Sequence, residues 1–317
     1  MSADMGIARA SVLASALLLC ACGAAGSTAD QESAANEPAP TAPGTTLPAP
    51  APSASTPPSK STPAPAAAPT VLQILTYNVA GLPEGLSSSH PATNTPLISP
   101  KLNPFELVLV QEDFAYHPQL VSAATHANKS TPMASSGPAN LGDGLNVLSR
   151  LAFSDFSRTK WTKCNGTIDQ KSDCLTSKGF ARFVVDLGNG TTVDVYDAHF
   201  DAGRSDGDAA ARDAQATQLA DAIATRSAGK AVIVAGDTNM KASDEPTLQK
   251  LLTTAGLTCA CRSISCAEPD RIDRVMFRSS ASVKVSAKSW HVESFVDAAG
   301  NPLSDHEPVS VELSIGQ

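Results

Sequence analysis

Residues 71–77, running Val71-Leu72-Gln73-Ile74-Leu75-Thr76-Tyr77, are apolar and rich in β-branched side chains, which predicts a strand buried on both faces. Segments 106–110 and 231–235 have the same character. Runs 179–187 and 191–199 flank Gly188-Asn189-Gly190, a strong hairpin signal, and 272–277 and 308–313 add two more strands. Ala216, Leu219, Ala220 and Ile223 recur at helical spacing and predict a helix over 207–226. A second helix is expected over 244–255, opening on Asp244 and closing at Gly256. Strands outnumber helices, and no glycine-rich phosphate loop follows any of them, so a doubly wound nucleotide-binding sheet is not expected.

The pattern changes abruptly before residue 71. Residues 1–22 hold Arg9 and then an apolar stretch over 10–21, too short to span a bilayer, which reads as an export signal. The stretch ends Leu19-Cys20-Ala21-Cys22, which resembles a bacterial lipobox and makes Cys22 the expected lipidation site. Residues 23–70 contain 11 of the 23 prolines, interleaved with Ala, Ser and Thr; this composition favours extended chain without a core, a tether. The remaining 71–317 suits one large α/β domain. The expectation is a chain exported and held at the bacterial envelope by its lipid, or secreted, working as a monomer with no obligate protein partner.

Of 317 residues, 42% are apolar and 17% charged, which excludes a wholly disordered polymer, and no second long apolar run suggests a polytopic membrane protein. The net charge of −8 argues against a protein that coats nucleic acid, although a nuclease with a local basic patch remains compatible.

Candidate chemistry lies where the strands stop. Asn78, Glu112, His199, Asp237 with Asn239, Asp273, and Asp305 with His306 each end or flank an apolar run. Singly, each is an ordinary turn residue. Together they form a set of hard oxygens and imidazoles on one rim. Asn78 and Glu112 suit Mg²⁺, which takes one or two carboxylates and keeps waters. His199 and His306 are then free for proton transfer or phosphate contacts, and Asp273 or Asp305 can fix a ring tautomer. There is no Gly-x-Ser-x-Gly elbow, no Cys followed six positions later by Arg and no His-Glu-x-x-His, which leaves water as the nucleophile.

Seven segments in order carry a resemblance: Thr76-Tyr77-Asn78-Val79, Gln111-Glu112-Asp113-Phe114, Gly144-Leu145-Asn146-Val147-Leu148-Ser149-Arg150, Asp197-Ala198-His199-Phe200, Gly236-Asp237-Thr238-Asn239, Arg271-Ile272-Asp273-Arg274 and Ser304-Asp305-His306-Glu307-Pro308. They resemble the ordered motifs of the endonuclease/exonuclease/phosphatase superfamily, the deoxyribonuclease I-like fold. The resemblance spans about residues 72–313. It implies a four-layered α/β (α+β) sandwich of two mostly antiparallel sheets flanked by helices, and Mg²⁺ as cofactor. Carried over by position, it implies Glu112 as the principal metal carboxylate with Asn78 beside it. Asp237 and Asn239 would orient the attacking water and bind phosphate. His306 would be the general base, oriented by Asp273; Asp305 would sit at the metal or in the same dyad; His199 would donate to a phosphate oxygen. The carboxylate that orients His199 is open, since strand alternation does not settle Asp197.

The segment Asp173-Cys174-Leu175-Thr176-Ser177-Lys178-Gly179-Phe180 and the Gln-Glu-x-Phe form around Glu112 are similar to bacterial sphingomyelinases, which implies a phospholipase C-type lipid phosphodiesterase. A secreted nuclease, a phosphomonoesterase and a catalytically dead binding module are the alternatives. No hairpin tip rich in aromatics is present; Trp161 and Trp290 are expected in the core.

Export makes disulfides plausible. Cys164 with Cys174 would close a short loop before Lys178, and Cys259 with Cys266 is the expected second pair, leaving Cys261 over; a zinc site is poorly served by three cysteines without a nearby histidine. His90, His117, His126 and His291 are expected at the surface or in loops. Lys178 is expected to be solvated, with a phosphate contact as the alternative. Arg212 and Gln215 are expected to clamp the loop after His199, and Arg150 to brace the metal rim or pair with an acid.

Overall fold

The computed structural model describes residues 68–87, 89–135, 139–166 and 173–317. The expected signal at 1–22, Cys22 and nearly all of the tether lie outside the described residues. Among the described residues, no helix is long and apolar enough to cross a membrane.

Two six-stranded sheets stack face to face. One takes the order β11(Lys284–Val292), β12(Val309–Gly316), β1(Thr70–Asn78), β2(Leu107–Gln111), β4(Asn146–Ser149), β3(Asn128–Lys129). The other takes the order β5(Phe153–Lys160), β6(Gly179–Asp186), β7(Thr192–His199), β8(Val232–Asp237), β10(Asp273–Arg278), β9(Thr258–Cys259). Each sheet is antiparallel except for one central parallel pair, β1 with β2 and β7 with β8. This is the sandwich that the motifs implied.

Strand alternation builds the layers. Leu72 and Ile74 point inward to meet Leu107, Leu109, Phe183, Val195 and Ile233 in the core between the sheets. Leu75 and Tyr77 point outward, against Ile98 of α1(Pro91–Ile98) and Leu120 of α2(His117–Leu120). On the far side, Phe180 and Tyr196 receive Ala216, Leu219 and Ile223 of α3(Asp206–Arg226) and Leu248 and Leu251 of α4(Glu245–Ala255). Both faces of each central strand are thus covered, which is why their sequences are continuously apolar. A capping box fixes the start of α3: Asp208 N–H donates to Ser205 Oγ, and the Asp208 carboxylate accepts from Ser205 N–H at 2.7 Å. α4 begins at Glu245, one residue later than its pattern suggests, because Asp244 closes a preceding 3₁₀ turn and turns its carboxylate to Arg212. Gly256 ends it at φ 66°.

Four expectations are corrected. The second disulfide joins Cys261 to Cys266, not Cys259 to Cys266. The short helix α5(Ala260–Ser263) turns the chain so that Cys266 N–H reaches the Cys261 carbonyl at 3.0 Å, whereas Cys259 on β9 is a buried free thiol packed among Leu251, Leu257 and Met276. Cys164–Cys174 is present. Lys178 is buried, because Asp173 five residues earlier meets its ammonium at 2.5 Å. His126 is buried too, its Nε2 held 2.9 Å from the Phe105 carbonyl. Arg150 does neither of the expected jobs; it donates to the Asn103 carbonyl.

Candidate active site

The two parallel pairs deliver the site. In register, Asn78 lies beside Gln111, and Glu112 follows at once; His199 lies beside Asp237. Because β10 runs antiparallel to β8, its first residue Asp273 is the register partner of Asp237. β12 runs antiparallel to β1, so the segment before it, 304–308, returns to the end of β1, where Ser304 Oγ donates to the Asn78 carbonyl at 2.7 Å. Every candidate from the polar strand ends therefore reaches the same end of the sandwich, with contributions from both sheets.

Backbone geometry tightens the turn at each end. Glu112 and Asn239 adopt φ 57° and 51°, sharp reversals immediately after their strands. Gly81 permits the close approach at Glu112, since a Cβ there would lie 2.5 Å from the Glu112 carbonyl oxygen.

At the centre, Asn78 Nδ2 donates to Glu112 Oε1 and to Asp237 Oδ2, both at 3.2 Å. Asp237 also accepts from the Asn239 backbone N–H at 2.8 Å and from Asn239 Nδ2 at 3.1 Å. Burial, and then the Asp273 carboxylate, push the Asp237 carboxyl up to about 6. His199 is fully buried, its Nε2 3.5 Å from Asp237 Oδ2 and 3.7 Å from Glu112 Oε1, and neither ring nitrogen has a hydrogen-bond partner. Burial, then Lys178 and His306, hold this ring well below the usual histidine range, so it is neutral. Its expected orienting carboxylate is not among the described contacts: Asp197 accepts instead from Gln111 Nε2 at 2.6 Å, across the inter-sheet core.

His306 forms the second half. Its Nδ1 sits 3.1 and 3.0 Å from the two Asp273 oxygens, and its Nε2 is 3.7 Å from Asp237 Oδ2. Burial works against its charge, but the bond to Asp273 and the carboxylates of Asp237 and Asp305 outweigh it and raise the ring to about 10. Asp305 itself is exposed; with His306, Asp273 and Arg271 it lines an open cleft of about 490 Å³.

The arrangement fits a hard divalent cation. Glu112 and Asp237 are two carboxylates bridged by the Asn78 amide, an oxygen-rich donor set beside an imidazole with both nitrogens unsatisfied. Ligand atoms of Asp237, Asp273 and His306 also cluster within 4.8 Å. There His306 Nδ1 is committed to Asp273, an arrangement that suits a base with its orienter better than a metal cage.

Other side chains hold this rim in place. Trp161 Nε1 donates to the His199 carbonyl at 2.7 Å, fixing the end of β7. Arg274 braces the 238–240 turn through Thr238 Oγ1 and the Met240 carbonyl. Arg212 and Gln215 do clamp the loop after His199, through the carbonyls of Asp201, Ala202 and Gly203 and the Asp201 carboxylate. The buried Lys178 faces the site, and the carboxylates of Asp173, Glu112 and Asp237 more than offset the burial that opposes its charge. Its one sequence signal was the acid five residues before it.

Comparison with known proteins agrees with this geometry. The sphingomyelinase of Mycobacterium tuberculosis is 34% identical in an alignment 261 residues long that covers 75% of this chain and 51% of that protein, so the chain spans about half the length of the curated relatives it matches. A beta toxin variant from Staphylococcus aureus, solved with bound magnesium ions, superposes with a TM-score of 0.58 at 15% identity, over 76% of this chain and 99% of that one. D. rerio TDP2 complexed with a single-strand DNA product gives 0.59 at 17% identity, over 77% and 99%. The model of the Endonuclease/Exonuclease/phosphatase family matches residues 75–306, from within β1 to the histidine of the dyad. With its motifs, its sandwich and its strand-end rim all in agreement, this chain belongs to the endonuclease/exonuclease/phosphatase family.

Proposed function

We propose that this chain is an exported, Mg²⁺-dependent phosphodiesterase that hydrolyses a lipid phosphodiester of sphingomyelin type, and that Cys22 anchors it to the cell envelope. The observation that carries the chemistry is the rim itself: a base with its orienter, His306–Asp273, faces the Asn78–Glu112–Asp237 oxygen set, with the unpartnered His199 alongside. The sphingomyelinase relative supports the choice of substrate.

Asn78 and Glu112 would hold the metal, with Asp237 adjoining. A cation held there would supply positive charge to neutralise phosphate oxygens. Neutral His306, its Nδ1–H directed to Asp273, accepts a proton at Nε2 from a water that Asp237 and Asn239 orient. The water oxygen bonds to phosphorus as the ester oxygen opposite departs with the bonding pair and takes up a proton from solvent, giving an alcohol and a phosphomonoester, while His306 later returns its proton to solvent. His199, neutral and buried, donates one N–H to a non-bridging oxygen, where charge increases in the transition state. The test is chelation. EDTA should abolish release of phosphocholine from sphingomyelin and added Mg²⁺ should restore it; hydrolysis that survives chelation refutes the metal assignment.

A further inference from the structure

A second cavity, also about 490 Å³, opens at the Glu112 end of the rim. The two share no lining residue. The His306 cleft is walled largely by charged side chains, Arg271, Asp273, Asp305 and Glu307 among them. The second is apolar over most of its wall, with Leu82, Leu86, Phe114 and Leu175 around it, and polar where Glu112 and Lys178 enter. Leu86 is 72% exposed, the most exposed large apolar side chain among the described residues.

Both walls are attached to the catalytic rim. Leu82 and Leu86 follow Asn78 by four and eight residues, and Phe114 follows Glu112 by two. Leu175 lies between Cys174, tied to Cys164, and Lys178, tied to Asp173, so its backbone is pinned at both ends. An apolar hollow with a few polar groups at one end is the usual form of a site for an amphiphile, and a leucine as open to water as Leu86 gains nothing for folding.

In-line displacement places the leaving oxygen opposite the attacking water. With the water at His306, the leaving group lies toward Glu112, where this cavity begins. We infer that the leucine-lined cavity seats the chain-bearing alcohol of the substrate, the leaving group of a lipid phosphodiester. This rests on the phosphodiesterase reading above and adds the substrate's apolar side to it. It also gives the domain a means to take hold of a lipid.

The test is calorimetric. The full chain carrying His306→Ala, which prevents turnover, is titrated with monomeric dodecylphosphocholine and with phosphocholine in Mg²⁺. The alkyl ester should bind at least tenfold more tightly than phosphocholine. Leu82→Ser/Leu175→Ser should remove that preference and leave phosphocholine affinity unchanged. Leu86→Ser, at a position too exposed to matter for folding, should weaken the alkyl ester about threefold. Equal affinity for the two ligands, or variants that keep the full preference, overturns the inference. Failure of the underlying reading shows elsewhere, as no p-nitrophenol released from p-nitrophenyl phosphorylcholine by the unsubstituted chain, whatever dodecylphosphocholine does.

Discussion

Asp273→Asn removes one charge from the rim while preserving shape. His306 is raised from 6.5 to about 10, a preference for the charged ring of about 5 kcal/mol. Burial opposes that preference, and three carboxylates create it: Asp273 in direct contact, then Asp237 and Asp305. Assigning about half to the direct, charge-assisted contact gives roughly 2–3 kcal/mol. The imidazolium forms as the water is deprotonated, so this energy is lost from the transition state, and kcat should fall on the order of 10²-fold with KM little changed. The assay is steady-state hydrolysis of p-nitrophenyl phosphorylcholine in Mg²⁺, paired with NMR titration of His306 in the metal-free chain, where its pKa should drop by about two units. Stability carries a matching signature. A histidine raised in the folded state contributes fully below pH 6.5 and loses that contribution as pH rises toward 10. The decline in melting temperature across that window should be shallower in Asp273→Asn. A variant with kcat within threefold of the parent, or a His306 still titrating near 10, refutes the dyad.

Other expected outcomes follow from single contacts. Arg212→Met strips both guanidinium bonds from the buried Asp244 carboxylate and three from the 201–203 carbonyls; it should cost about 3–5 kcal/mol by denaturant unfolding, and a loss below 1 kcal/mol would contradict the clamp. Peptide mapping without reduction should recover Cys164–Cys174 and Cys261–Cys266, with Cys259 alkylated only after unfolding; a Cys259 cross-link contradicts the packing at β9. Cys22→Ser should move the protein from the membrane fraction to the soluble one, and unchanged fractionation speaks against the anchor.

Much of the site could be read from the chain because of one physical regularity. Strands covered on both faces are uniformly apolar, so a polar residue that ends one stands out, and the two parallel pairs carry four such ends, Asn78, Glu112, His199 and Asp237, to one rim. Edge strands lack that contrast. β5 and β11 expose much of their outer faces, so Phe153–Lys160 and Lys284–Val292 alternate weakly and left no strand signal. α1 carries Pro96 within it and almost no amphipathic pattern, and it is a helix through tertiary packing of Ile98. The burial of Lys178 depends on a pair five residues apart across a single 3₁₀ turn, and the choice of Cys261 over Cys259 depends on which way a four-residue helix turns. Neither leaves a period in the sequence.

The central claim is that this rim cleaves a lipid phosphodiester. The most direct measurement offers the purified chain sphingomyelin, phosphatidylcholine and plasmid DNA side by side in Mg²⁺, with His306→Ala as the blank. The account predicts phosphocholine from sphingomyelin, absent from the blank, and intact plasmid. Nicked plasmid without phosphocholine, or equal release by the blank, would contradict it.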